Sequence, residues 1–206
     1  MDLTTISSSS DFEKNSVSKI IKELFNTLKI RKISVLVITI SLFQSTISVL
    51  VNFLQLFLSE KHFSPFQISI VLTVALAFSA FTSLSIGKVS GVFGAQKAIK
   101  TSLVLVLGAF LILKTNIYII LFSAVILLQC GFEFVDTSLN VVIQDLSNDK
   151  IRTSLISSVN TLTACLMFFE TALITALFSL FKVEYIFIFT GILATSLTLI
   201  LYFIFL

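Results

Sequence analysis

Between positions 129 and 140, Gln129, Glu133, Asp136 and Asn140 follow one another at intervals of four, three and four. At about 100° per residue, that spacing confines all four to a wedge of about 60° on one helix face. Two carboxylates flanked by two amides can hold a proton or a cation and can hydrogen-bond a polar solute. A second stripe, Ser41, Gln44, Ser45, Ser48, Asn52 and Gln55, falls within about 100° by the same arithmetic. Asn160, Thr163, Glu170 and Thr171 form a third. All three run through strongly apolar stretches, where an aspartate costs about 2.5 to 3.5 kcal/mol on insertion scales. No basic residue lies at comparable depth, so Glu133, Asp136 and Glu170 are each expected to be hydrated in a cavity or to carry a proton. The plainer alternative is that the stripes are hydrogen-bonding glue between helices of a dry bundle.

The elements that carry these stripes are six apolar spans, at 33 to 58, 66 to 86, 98 to 113, 117 to 143, 155 to 181 and 185 to 206, each reaching or approaching the ~20 residues a bilayer core demands. Fourteen lysines and arginines are distributed unevenly around them. Eleven fall in the segment before the first span and in the second and fourth junctions, and only Lys61, Lys114 and Lys182 fall on the other side. The positive-inside rule then places both termini in the cytoplasm of a multi-pass cell-membrane protein. A chain that is 56% hydrophobic and 12% charged has too little polar surface for a soluble domain. Its basic residues are scattered over junctions without the clustered face that nucleic acid requires.

Two regions follow: a tail with a basic amphipathic segment over 1–32, and a helical bundle over 33–206. Ser64 and Pro65 read as a cap and first-turn proline, and the short connections predict that successive helices pack as antiparallel neighbours. The third and sixth spans carry only scattered hydroxyls and are expected to face lipid, leaving the striped first, fourth and fifth spans to line an interior. Cys130 and Cys165 read as small apolar fillers, and the 22 phenylalanines mark no site. No cofactor or metal is implied, because no cysteine or histidine cluster has metal-ligand spacing. Nor is an enzyme implied: the one histidine, His62, sits in a turn beside Glu60 and Lys61, with no serine in a nucleophile frame.

The second junction, residues 87 to 97, sets Gly87, Gly91 and Gly94 ahead of the basic Lys97, a frame that resembles the signature loop of the major facilitator superfamily. Gly91 and Val92 stand where that loop usually has an acidic and a basic residue, so the charge relay it implies lacks its charges here. The glycines are expected to give a tight turn with positive backbone dihedrals. The fourth junction, with Arg152 and Thr153 after a polar turn, is similar to the stretch that links the tenth and eleventh helices of facilitator transporters. From about residue 12 the chain resembles a C-terminal six-helix half of that family. The resemblance implies an all-α polytopic fold built as two inverted three-helix repeats, with the third helix of each repeat peripheral.

It also implies secondary transport of a small solute, by proton-coupled efflux, together with a second six-helix half or in a homodimer embedded in the lipid bilayer. Glu133 and Asp136 are then the coupling candidates, with Glu170 and Asn140 beside them on the path, and Gln44, Asn52, Gln129 and Asn160 the contacts to solute. The alternative is a non-transporting subunit or transporter remnant that uses the same stripes to bind another membrane protein.

Overall fold

Local chemistry at the first turn between helices shows how they are delimited. The first helix ends at Glu60, after which His62 takes a left-handed conformation (φ 63°). The His62 amide donates to the Ser59 carbonyl and the Phe63 amide to the Leu58 carbonyl, closing the helix with a Schellman motif. Ser64 then caps the second helix reciprocally: the Gln67 amide donates to Ser64 Oγ at 3.3 Å and the Ser64 amide to Gln67 Oε1 at 2.8 Å. Pro65 supplies a first helical position that needs no donor.

The computed structural model describes residues 29–145 and 149–205. These form six helices: α1 (Arg31–Glu60), α2 (Pro65–Phe93), α3 (Ala95–Ile112), α4 (Tyr118–Asp145), α5 (Asp149–Phe178) and α6 (Val183–Phe205), with no strand among the described residues. All but α3 are long and apolar enough to cross a membrane. The basic amphipathic segment expected before the first span lies almost wholly outside the described residues, as do Ser147 and Asn148 of the fourth junction.

α1 is the hub. It packs along α5 and α6, while α4 packs along α2 and α3; α1 meets α4, and α3 meets α6, where the two sets join. The expectation that successive helices are close neighbours is therefore corrected. Only α3 and α4 pack along each other, whereas α1 with α2, α2 with α3, and α5 with α6 touch little. A short turn fixes the direction of the next helix and the nearness of two ends. Which faces match decides the packing over the remaining length.

The core contains a chain of phenylalanine rings that crosses four helices. Phe57 on α1 stacks on Phe187 of α6 at 4.6 Å, Phe187 meets Phe110 of α3 at 6.2 Å, Phe110 meets Phe132 of α4 at 5.8 Å, and Phe132 returns to Phe43 of α1 at 6.1 Å. All five rings are buried. Two mid-helix glycines bring α3 into this arrangement. A Cβ on Gly131 of α4 would meet Val106 at 2.5 Å, and one on Gly191 of α6 would meet the Phe110 ring at 2.1 Å. The third and sixth spans are thus packing partners on one side and exposed apolar strips on the other, with Val104, Leu105 and Leu111 exposed on α3 and Phe189, Leu193 and Ile200 on α6.

The glycine frame of the second junction also departs from expectation. Gly87 and Gly91 lie inside α2, and only Gly94 takes a positive φ, 79°, at the break before α3. A single left-handed residue suffices to turn the chain, so the two upstream glycines continue the helix.

Candidate functional site

The three polar stripes converge across the middle of the bundle. Gln44 of α1 is the junction: its Nε2 donates to Asp136 Oδ1 on α4 at 2.6 Å, and its Oε1 accepts from the Thr163 hydroxyl on α5 at 3.2 Å. One amide thereby spends its donor and acceptor ends on two different helices, α4 and α5, that pack little against each other. Asn140, one turn along α4, donates to the second Asp136 oxygen at 3.4 Å.

Hydroxyl groups also stand against Glu133 and Glu170. Ser79 of α2 donates to Glu133 Oε2 at 3.4 Å, and Thr137 on its own helix donates to Oε1 at 3.3 Å. Ser45 and Thr46 of α1 lie at 3.0 and 3.2 Å from Glu170 Oε1 on α5. Ser41, also on α1, donates to the Val159 carbonyl of α5 at 3.3 Å. Every helix pair here is one that the packing brings together, so the polar contacts and the apolar core specify the same arrangement. Within the described residues, then, these carboxylates lie against amide and hydroxyl groups of neighbouring helices. Hydroxyl donors were hard to assign beforehand, because Ser79 is one small residue among several on α2 and serine in a span often bonds back to its own helix, as Ser69 and Ser85 do.

Other anticipated site residues are placed differently. Gln129 is buried in the core of α4. Asn52 and Gln55 in the C-terminal half of α1 and Asn160 on α5 are exposed on the bundle surface. α5 is the least covered helix: 6% of its apolar window is buried, against 67% for α1, and its exposed face carries Thr153, Ser157, Asn160 and Thr161. Arg152 and Thr153 lie near the start of α5, and Lys97 is exposed in the first turn of α3.

At the end of the bundle that carries the first, third and fifth turns, Lys61 acts as a clamp. Its Nζ pairs with Glu184 Oε1 of α6 at 2.7 Å and donates to Asn116 Oδ1 at 2.9 Å and the Thr115 carbonyl at 3.4 Å, tying together the α1–α2 turn, the α3–α4 turn and the start of α6. The Lys61 side chain is only 6% exposed. Sequence reasoning used Lys61 as a topological marker alone; a lysine and an acid at two junctions expected on the same side, Lys61 and Glu184, were the available signal. Toward the opposite end Lys100 of α3 stands over the Phe203 ring of α6 at 4.2 Å, a cation–π contact.

Residues 35–206 match the family model described as Major Facilitator Superfamily. No curated protein matches the chain.

Proposed function

Because the chain belongs to the major facilitator superfamily, whose members are membrane transporters, we propose that it works as one six-helix half of a secondary transporter that moves a small solute by proton-coupled efflux. The observation that carries this reading is the Asp136–Gln44–Thr163 connection, in which an intramembrane acid is tied to two helices through a single amide. Protonating Asp136 removes the charge that Gln44 answers, and so loosens α4 from α1. Charge state and helix packing are thereby linked at one hydrogen bond, the coupling that ion-driven transport needs. Glu133, held by α2 through Ser79, is the second coupling carboxylate. Asn52 and Asn160 are exposed and offer the solute contacts, while Gln44 and Gln129 lie deeper.

The pattern of packing supports two inverted three-helix repeats. α1 packs on α5 and α6 of the second set, and α4 packs on α2 and α3 of the first, so exchanging the sets reproduces the same neighbours. The uncovered polar face of α5 is what a second six-helix unit, either another copy or a separate chain, would cover to make the other wall of the path. The inner-side bias of lysine and arginine supports a cell-membrane location with both ends cytoplasmic.

Vesicles containing the purified protein and the pH dye pyranine, challenged with a panel of sugars, amino acids and organic cations under a proton gradient, test the reading. Solute-dependent proton movement that disappears in Glu133→Gln or Asp136→Asn is the expected result. Gly91 and Val92, standing where the family usually has charges, favour a non-transporting binding subunit instead. That reading predicts no flux for any solute, with association with another membrane protein retained. Cys165 is free and exposed on α5, so oxidative cross-linking in membranes yields a disulfide dimer, absent in Cys165→Ser, if two copies meet through that face.

A further inference from the structure

Glu170 differs from the other two intramembrane acids in how its oxygens are used. Oε1 faces the Ser45 and Thr46 hydroxyls at 3.0 and 3.2 Å. The same two hydroxyls lie 3.1 and 2.9 Å from the Leu42 carbonyl, one helical turn back on α1. Four close oxygen–oxygen contacts therefore share two hydroxyl protons, since each side chain brings only one. If both protons point to Leu42, the hydroxyl lone pairs face the carboxylate with nothing positive between them. If both point to Glu170, the usual back-bonds to the helix carbonyl are given up. The second carboxylate oxygen, Oε2, is buried and accepts no hydrogen bond from any described residue. A buried, unpartnered carboxylate oxygen costs several times what an ordinary hydrogen bond contributes, and such an atom calls for an explanation.

A proton on Glu170 answers only part of this. Placed on Oε1 it bridges one hydroxyl and leaves Oε2 bare; placed on Oε2 it has no acceptor. A small cation answers all of it. With Ser45 and Thr46 donating to Leu42, their lone pairs join the Glu170 carboxylate as a set of hard oxygen ligands on two helices that already pack together. One carboxylate balances one positive charge, so a divalent ion would leave a net charge at membrane depth. From this geometry we infer a binding site for a monovalent alkali cation, Na⁺ in the first instance, formed by Glu170 of α5 with Ser45 and Thr46 of α1. The site stands apart from the Asp136–Gln44 connection and is read without any solute, so its failure leaves the transport reading intact, and the converse.

Equilibrium binding of ²²Na⁺ to the full chain in nanodiscs, in choline chloride buffer with Li⁺ and K⁺ as competitors, tests it. Saturable binding of one Na⁺ per chain is expected, lost in Glu170→Gln and weakened about tenfold or more in Ser45→Ala/Thr46→Val. Asp136→Asn is expected to bind as the parent does. Lack of saturable Na⁺ or Li⁺ binding by the folded parent protein overturns the inference. So does binding that survives Glu170→Gln, or that is lost in Asp136→Asn alone.

Discussion

Replacing Gly191 by alanine is the sharpest test of the core. On helix propensity alone the change is favourable by about 1 kcal/mol. Against this, the new methyl would sit 2.1 Å from two atoms of the Phe110 ring and 2.6 Å from a third. Phe110 is fully buried and lies between Phe187 and Phe132, so its ring cannot swing aside without disturbing the whole aromatic chain. Overpacking of this kind costs about 1 to 3 kcal/mol, and the depth of the overlap puts it at the upper end. The expected net effect is a loss of about 2 kcal/mol. Gly108 of α3 provides the internal control, because a Cβ there meets nothing within 4 Å. Gly108→Ala should be neutral or stabilising, and the two substitutions should differ by about 3 kcal/mol. Thermal unfolding in mild detergent, scored by loss of the monodisperse species, makes the comparison. Phe110→Leu in the Gly191→Ala background should recover part of the loss. A Gly191→Ala protein as stable as Gly108→Ala would refute the close approach of α3 to α6.

Gln44→Leu keeps the bulk of the side chain but deletes the donor to Asp136 and the acceptor for Thr163; a loss of about 1 to 2 kcal/mol in the same unfolding assay is expected, together with loss of proton-coupled flux. Lys61→Met removes the clamp and leaves Glu184 half-buried without its cation, at an expected cost of about 1 to 3 kcal/mol. Glu184→Gln added to Lys61→Met should cost little more, and a double-mutant cycle on unfolding midpoints checks that the two residues are coupled.

The parts of this structure that were legible in the sequence are those set by local rules. Ser64 and Pro65 state a helix start in two residues, and the stripe containing Glu133 and Asp136 needs only helical periodicity to be seen. Which stripe meets which was not legible. Periodicity gives the face of a helix but not the neighbour that the face is turned to, so Gln44 could be placed on the polar side of α1 without its link to both Asp136 and Thr163 being foreseen. The phenylalanines failed for the same reason: Phe43, Phe57, Phe110, Phe132 and Phe187 sit on four helices, and their chain exists only once those helices are docked. Gly131 and Gly191 did carry a signal. A glycine in the middle of an apolar helix is a propensity cost that close packing explains, and both mark where α3 is approached.

The pairing of α1 with α5 and α6 has a consequence for how the chain is made. Ser41 bonds to Val159, 118 residues ahead, and Ser45 to Glu170, 125 residues ahead. At about 5 to 20 residues per second, a ribosome delivers the partners of α1 roughly 6 to 25 seconds after α1 itself. Through that interval the most polar face of the first span has none of its final partners on α5. The membrane insertion machinery must therefore shelter α1, or let it wait at the edge of the bilayer, until the last two helices arrive. A nascent chain stopped after α4 would be an arrested assembly, with Ser41 lacking its Val159 partner and Ser45 and Thr46 left only their own helix's Leu42 carbonyl.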